Sequence, residues 1–341
     1  MIRTRTSIMV AGLSALAVLG AACSSGDDAG SGSGTPALSG SVAVSGSSTV
    51  QPISSLVAEE FSSANPDVQI SVDGPGTSDG FVLFCKGETD INDASRAIEP
   101  EEKQACKKNG VTWVELPVAF DGITVMTNPD NPAVSCLNTG DLYALLGPES
   151  QGFKTWADAA SLDQQVGGTG KLPNLPLQIT APGQESGTYD AFISLAGIED
   201  TALSRGVAED KAAALRPDYQ ASANDNVIIQ AMEGDPGALG FVGFAYAEAA
   251  GSQIDIVQIN GGGGCVAPTR ETIADHSYPL SRTLYIYVNK ARIAENPALK
   301  AYVDFYMGET GIVSAVQQTG YVDLPSDQIE ASRTAWSQAS A

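Results

Sequence analysis

Short apolar runs rich in β-branched residues alternate along the chain with segments in which apolar residues recur at helical spacing. Strand-like runs lie at 42–44, 68–72, 113–118, 123–127, 177–180, 238–244, 254–259 and 284–288. Helical patterns lie at 50–61, 101–108 and 141–146, after Thr188 and Asn226, and at 298–307, 312–318 and 327–337. This alternation predicts an α/β fold with mostly parallel strands and a first unit of β-α-β-α-β order.

Two of the strand-like runs, 123–127 and 284–288, lie far apart in the sequence, and each is followed by an asparagine. The segment between them has strands and helices of its own. We therefore expect a second domain, 123–283, inserted into a first domain made of 41–122 and 284–341. The two crossing strands would form a hinge over a cleft.

The N-terminus has the pattern of an export signal. Arg3 and Arg5 precede an apolar stretch, 8–22, which is too short for a comfortable membrane span and is followed by small residues. We expect residues 1–22 to be a signal peptide and the protein to be exported.

Residues 20–23 resemble a bacterial lipobox, in which Cys23 takes a lipid and becomes the mature N-terminus. Gly20 stands where a large aliphatic residue is usual, and plain secretion with a spare cysteine is the alternative. Residues 24–40 consist mainly of Ser, Gly and Asp, a composition typical of flexible linkers. We expect 23–40 to be a tether, anchored by lipid to the outer face of the cytoplasmic membrane.

The chain is acidic, with 40 Asp and Glu against 18 Lys and Arg and a formal charge of −22. Loss of the signal removes two arginines, which leaves 16 basic residues and a charge of −24. This balance argues against a nucleic-acid partner. It does not exclude an anionic ligand, because salt screens charges beyond roughly 8 to 10 Å and the nearest donors decide the affinity.

Four cysteines follow the tether, and an even number in an oxidising compartment predicts two disulfides. Three connectivities are open. We favour Cys85 with Cys106, which flank one strand-and-helix unit, and this leaves Cys136 with Cys265. We expect no metal site, because there is no CxxC motif and the only histidine, His276, lies in a polar loop.

Three polar loops share one design, in which Ser, Thr and Gly lead into a helical or apolar pattern. They are 45–49, 76–80 and 186–188. Hydroxyls and unpaired N–H groups at a helix start can bind an anion, and the helix dipole favours negative charge there. N-capping explains any one such loop. Three of them in one chain predict a shared anion pocket.

The order and spacing of these loops and of three further motifs resemble the phosphate-binding proteins of bacterial ABC transporters. The motifs are GSSTV at 46–50, GTSDG at 76–80, DINDASR at 90–96, SGT at 186–188, GALGFVG at 237–243 and YPLSR at 278–282. The resemblance implies a two-lobed periplasmic-binding-protein fold of type II, with two α/β domains joined by a two-strand hinge. It implies a monomer that binds inorganic phosphate and delivers it to ABC permease subunits, and that is not an enzyme and needs no cofactor.

The resemblance also implies which residues contact phosphate. They are Ser48, the N–H of Thr49 and Thr77 or Ser78 from the first domain, and Ser186, Gly187 and Thr188 from the second. Neutral donors at helix starts can hold an oxyanion that is shielded from water.

The chain departs from the family pattern at its charged positions. Pro182 and Gln184 stand where the best-known members have Arg and Asp, and Arg96 stands where an Asp often accepts a proton from phosphate. We expect Arg96 to make a bidentate contact with the ligand, because its fork matches an oxyanion. The alternative is a structural Arg paired with Glu99 or a neighbouring carboxylate.

Discrimination of phosphate from sulfate requires a buried acceptor for the P–OH hydrogen. Asp121, on the crossing segment 120–123, is the first candidate for this acceptor. Asp79, Glu185 and Asp225 are the others. For each of them, a solvated or capping carboxylate is the alternative interpretation.

Other functions stay open at this point. The same fold could bind sulfate, molybdate or a phosphonate, or could serve a surface lipoprotein that senses phosphate or adheres without transport. A secreted hydrolase or phosphatase with Ser186 as nucleophile is the alternative from a different class. It would have to use His276, which lies in no recognisable motif, and the clustered metal ligands of a phosphomonoesterase do not occur.

Overall fold

The computed structural model describes residues 38–131, 134–168 and 172–341. The predicted signal peptide, the lipidation site Cys23 and the tether up to residue 37 lie outside these ranges. Within them, no helix combines the length and the apolar character that crossing a membrane requires.

The strands of the described ranges are short apart from the two that cross the middle of the molecule. They are β1 (Gly40–Gly46), β2 (Val68–Asp73), β3 (Ile91–Ala94), β4 (Trp113–Thr127), β5 (Cys136–Asn138), β6 (Gln178–Ala181), β7 (Gln220–Ala221), β8 (Ala238–Gly243), β9 (Asp255–Ile256), β10 (Gln258–Asn260), β11 (Cys265–Val266) and β12 (Ser281–Asn289). The predicted run 254–259 is therefore two short strands, β9 and β10.

Helices fill most of the sequence between the strands. The α-helices are α1 (Gln51–Ala64), α2 (Thr77–Phe84), α3 (Pro100–Lys108), α4 (Thr139–Leu146), α5 (Ala160–Gln165), α6 (Gly187–Leu195), α7 (Ile198–Ser204), α8 (Glu209–Ala212), α9 (Asp225–Gly234), α10 (Phe244–Ala250), α11 (Arg270–Ala274), α12 (Lys290–Glu295), α13 (Pro297–Tyr306), α14 (Ser314–Thr319) and α15 (Ser326–Ala339). A π-helical turn, Glu309–Val313, precedes α14.

Nine strands of the described ranges form one mixed sheet in the order β2-β1-β3-β12-β4-β8-β6-β7, with β9 beside β4. β1 is parallel to β2 and β3, and β6 is parallel to β7 and β8. β12 is antiparallel to both β3 and β4, and β4 is antiparallel to β8. The expected parallel pairing is therefore wrong at the centre of the sheet, because the strand that leaves the first part of the molecule and the strand that returns run in opposite directions.

The first unit has the order β-α-β-α-β-α-β, so the predicted β-α-β-α-β order lacks one helix and one strand. The missed strand is β3, whose apolar run is broken by Asn92 and Asp93. Both side chains are fully buried. Ser54 of α1 donates a hydrogen bond of 3.0 Å to one carboxyl oxygen of Asp93, which helps to accommodate this polar group in the interior.

β4 is one continuous strand where the sequence predicted two runs, 113–118 and 123–127. Its first part pairs with β12 and its last part with β8. The pairing with β12 skips one residue at Val118, next to Pro117, which has no N–H to donate. The strand then continues through 120–122 without a break.

Two large apolar clusters of buried residues lie along β4. The cluster that we call the first core packs α1 and α13 against β1 and β2, and includes Ala119 of β4. The cluster that we call the second core packs α4 and α6 against β6 and β8, and includes Phe120 and Val125 of β4. β4 therefore passes from the first core to the second between Ala119 and Phe120.

The described ranges contain two disulfides, in the pairing that the sequence favoured. Cys85, which follows α2, is bonded to Cys106 of α3. Cys136 of β5 is bonded to Cys265 of β11, and both strands flank β10 in a separate three-stranded sheet. The second disulfide joins residues 129 positions apart, so it closes a much longer loop than the first.

Candidate functional site

Two of the three polar loops line a common cavity of about 510 Å³. Hydroxyl side chains supply much of its surface: Ser47, Ser48, Thr49, Thr77, Ser78 and Ser95. Arg96 and Arg282 also line it, together with the carboxylates of Asp79, Asp190, Glu199 and Asp200. Converging hydroxyls with a small number of charged groups are suited to a small, polar, anionic ligand.

The first loop turns sharply out of β1 because Gly46 lies against β3. Its φ of 144° is open to glycine, and a Cβ at this position would lie 2.1 Å from the carbonyl oxygen of Asp93. The Ser47 hydroxyl accepts hydrogen bonds from the N–H groups of Thr49 and Val50. The Thr49 N–H, which the sequence assigned to the ligand, is therefore bonded to Ser47 in this structure.

The next two hydroxyls of the first loop contact residues from elsewhere in the chain. Ser48 donates a hydrogen bond of 2.8 Å to Oδ2 of Asp190. Thr49 Oγ1 donates to the carbonyl oxygen of Gly187 at 3.2 Å and accepts from Arg282. Both predicted residues thus lie in the cavity, and both contact α6, which packs in the second core.

The second loop places Thr77 and Ser78 at the start of α2. Gly76, with a φ of 116°, precedes the helix. The Thr77 hydroxyl accepts from the Ser95 N–H and lies 3.1 Å from the Ser95 hydroxyl, and the Ser78 hydroxyl accepts from Arg96. The N-terminus of α2 therefore faces the cavity through two hydroxyls, those of Thr77 and Ser78.

The third loop does not line the cavity with its own side chains. Ser186 is the N-cap of α6 and accepts from the Thr188 N–H, so the capping alternative describes it. Gly187 touches the first loop through its backbone, where a Cβ would lie 2.9 Å from Cα of Thr49. The third loop is thus in contact with the first one, and Asp190 is its neighbour in the cavity.

Arg96 lies at the cavity, but its fork is occupied by carboxylates. It donates to both oxygens of Glu102, at 2.8 and 2.9 Å, and its Nε lies 3.3 Å from Glu99. The hydrogen bond to Glu102 is the main cause of its raised pKa. The arrangement is the structural ion pair that was the alternative for Arg96, with Glu102 as the principal partner.

The cation that the sequence reasoning missed is Arg282 of β12. Its side chain is 12% exposed. Nη2 donates to Thr49 Oγ1 at 2.8 Å, Nη1 donates to Ser95 Oγ at 3.2 Å, and Nε donates to Asp121 Oδ2 at 3.3 Å. The family-like motif YPLSR at 278–282 ends in Arg282, so the sequence did mark this residue. Nothing in the neighbouring residues, however, indicates that its side chain lines a cavity.

Asp121 lies behind Arg282 and is not part of the cavity wall. Burial raises its pKa, while the charge and the hydrogen bond of Arg282 oppose that effect. The two residues are direct register partners across β12 and β4. Of the other predicted acceptors, Asp79 lines the cavity, whereas Glu185 lies in a separate depression beside Tyr219.

The groups that a hydrolase or a metal enzyme would need are not assembled in the described ranges. The Ser186 hydroxyl caps α6, whereas His276 Nε2 lies 3.0 Å from the hydroxyl of Thr283 and its ring packs edge-on against Phe120. Among these residues, no three His, Cys, Asp or Glu side chains converge as metal ligands would.

The mixed α/β sheet, the crossing strands and the cavity at the loops define a solute-binding protein with the periplasmic-binding-protein fold. The family description of the PBP superfamily domain matches residues 31–310. Protein SphX of Synechocystis sp. is 36% identical over 282 residues, which cover 82% of this chain and 77% of SphX. Phosphate-binding protein PstS of Staphylococcus haemolyticus is 33% identical over 315 residues, which cover 92% of this chain and 90% of PstS.

A solved crystal structure also resembles this chain in both fold and sequence. The crystal structure of a possible phosphate binding protein from Planctomyces limnophilus matches 89% of this chain and 99% of its own, at 34% identity and a TM-score of 0.77. The chain belongs to the PstS-like family of phosphate-binding proteins. Members of this family are solute-binding proteins and not enzymes.

Proposed function

We propose that this protein captures inorganic phosphate in the cavity and delivers it to the permease of an ABC transporter. The observation that carries the proposal is the placement of Arg282, whose guanidinium donates to the hydroxyls of Thr49 and Ser95 at the cavity wall. Family membership at 33 to 36% identity supports the same ligand and the same kind of transport system.

The donors around Arg282 suit phosphate for a physical reason. A hydroxyl can rotate, so Thr49 and Ser95 can turn from their present partners to an entering anion. The start of α2 adds the positive end of a helix dipole beside Thr77 and Ser78. The ligand set that we propose comprises Ser48, Thr49, Thr77, Ser78, Ser95 and Arg282, with Arg96 as a more distant charge.

The third loop has a different part in this proposal. Ser186, Gly187 and Thr188 begin α6, and Gly187 is packed on the Thr49 backbone. We assign to this loop the closure of the cavity, in which the second core moves against the first about β4 and β12. The two cores would then be the domains 41–122 with 284–341 and 123–283.

The proposal extends to the location of the protein. Export by residues 1–22 and lipidation of Cys23 would hold it outside the cytoplasmic membrane, next to the permease that receives the ligand. A monomer is sufficient for this function, because the cavity is formed within one chain.

Isothermal titration calorimetry of the purified protein with phosphate, sulfate, molybdate and methylphosphonate tests this proposal. Phosphate should bind most tightly. Thr49→Val removes the hydroxyl shared by Arg282 and Gly187 and should weaken phosphate binding about tenfold. Thr334→Val, on the exposed face of α15, is the matched control and should leave the affinity unchanged. Heat with another oxyanion and none with phosphate would overturn the proposal.

A further inference from the structure

Asp190 is the carboxylate that reaches from the second core to the first polar loop. It lies in the first turn of α6, whose start is packed on Thr49 through Gly187. Its Oδ2 accepts the 2.8 Å hydrogen bond from Ser48, and its side chain lines the cavity. The sequence reasoning did not single out this residue.

Asp190 is hydrogen-bonded to Ser48, one of the residues that we propose to contact the anion. When Ser48 turns to an anion, Asp190 loses its donor. An ionised carboxylate can only accept hydrogen bonds, so the group that replaces the Ser48 hydroxyl beside Asp190 must be a hydrogen-bond donor. An oxyanion with a P–OH or As–OH group supplies that hydrogen, whereas a fully deprotonated one presents lone pairs and negative charge to the carboxylate.

We propose that Asp190 is the residue that restricts the site to oxyanions that keep a proton at neutral pH, such as phosphate and arsenate, and that rejects sulfate and molybdate. The inference rests on the proposed function, because it assigns the selectivity of the same site. It replaces Asp121 in that role, since Asp121 faces Arg282 and does not line the cavity.

The other acids at the cavity are less well placed to accept from the ligand. Asp79 and Asp190 are both exposed, and each lies in the first turn of a helix, so these properties do not separate them, and closure of the cavity is what would bury the acceptor. Glu199 and Asp200 occupy the same kind of position in α7 and are exposed. Asp190 is better placed because it accepts a hydrogen bond from Ser48, a residue of the proposed ligand set, across the two cores.

Calorimetric titration with phosphate and with sulfate, at one pH and one salt concentration, tests the inference on four forms of the full chain. These are the unmodified protein, Asp190→Asn, Asp79→Asn and Ser48→Ala. Asp190→Asn should reduce the ratio of phosphate to sulfate affinity at least about tenfold, and sulfate binding should become tighter, because the amide can donate where the carboxylate could not. Asp79→Asn should leave the ratio within about twofold, as expected for a group that does not contact the ligand.

Ser48→Ala separates selectivity from closure. It removes the bond between the two cores but keeps the Asp190 carboxylate, so both anions should bind more weakly while their ratio is retained. If Asp190→Asn weakens phosphate and sulfate equally, Asp190 serves closure only and the inference is overturned. An unmodified protein that binds sulfate or molybdate but not phosphate would overturn the proposed function itself, which makes the two failures distinguishable.

Discussion

Arg282 donates a hydrogen bond of 2.8 Å to Thr49, and the same Thr49 hydroxyl donates to the carbonyl oxygen of Gly187 at 3.2 Å. One side chain of the first polar loop therefore joins the returning strand β12 to the start of α6. Tyr321 adds a third contact, because its hydroxyl donates to the Thr49 carbonyl oxygen at 2.7 Å. Thr49 is thus held from three separate parts of the chain.

Replacement of Arg282 should weaken phosphate binding more than replacement of Arg96. Arg282→Lys keeps a positive charge beside Asp121 but loses the fork that reaches Thr49 and Ser95, so we expect a loss of about tenfold to a hundredfold in affinity. Arg96→Lys is the matched control, and it should change the affinity less, because the fork of Arg96 is already bonded to Glu102. Calorimetry measures both, and a larger loss for Arg96→Lys would show that Arg96 is the principal cation.

Gly187→Ala should weaken phosphate binding without unfolding the protein. The new Cβ would lie 2.9 Å from Cα and 3.0 Å from N of Thr49, which is closer than carbon and backbone atoms pack, so α6 would be displaced from the first loop. We expect a loss of about tenfold in affinity, on the scale of the typical overpacking penalty. Gly234→Ala serves as control, because a Cβ there meets nothing within 4 Å.

Asp93 should make the stability of the fold fall as the pH rises. Burial raises its pKa from 3.8 to about 8, and the hydrogen bond from Ser54 only partly offsets this effect. Between these two values the unfolded chain has lost the proton that the folded protein keeps, so the free energy of unfolding decreases with pH by up to about 1.4 kcal/mol per unit for this group. Below pH 3.8 both states are protonated, and above about pH 8 both are ionised, so the slope disappears.

Urea denaturation of Asp93→Asn and of the unmodified protein between pH 4 and pH 9 measures this contribution. The variant should be similar to the unmodified protein near pH 4 and more stable than it near pH 8, because the amide carries no charge to bury. Asp67→Asn, at an exposed position between α1 and β2, is the control. A stability difference for Asp93→Asn that does not change with pH would contradict the assignment.

Loss of the disulfide between Cys136 and Cys265 should cost more stability than loss of the other one. In the chain-entropy description the cost grows with the length of the closed loop, which gives about 5 kcal/mol for this bond and about 3 kcal/mol for Cys85 with Cys106. Paired Cys→Ser variants compared by chemical denaturation measure both losses. Equal losses of unfolding free energy in the two variants would show that the contribution of each disulfide does not depend on the length of the loop it closes.

Much of the secondary structure could be predicted because its apolar residues are periodic. The helices α1 and α13 and the strands β1 and β2 follow local patterns, and the structure has them close to the expected positions. β3 was missed for the opposite reason. Its middle residues, Asn92 and Asp93, are polar, and only the neighbouring strands β1 and β12 make their burial feasible.

The sequence could predict those site residues whose position follows from the local secondary structure, and not those placed by long-range strand pairing. Ser48 and Thr77 lie at helix starts, so the sequence indicates their exposure to a ligand. Arg282 reaches the cavity because β12 pairs with β4 in a register that sets it opposite Asp121, and no local pattern fixes a pairing over that distance. Ser186 was expected in the cavity, but its hydroxyl is used to cap its own helix.

Both arginines that line the cavity have carboxylate partners, Arg282 with Asp121 and Arg96 with Glu102. The mouth of the site therefore offers no excess positive potential that would accelerate the approach of an anion by electrostatic steering. Capture must then depend on how long a phosphate that arrives by plain diffusion is retained. The association rate should accordingly lie well below the steered limit, and the strength of binding should reside in a slow dissociation rate.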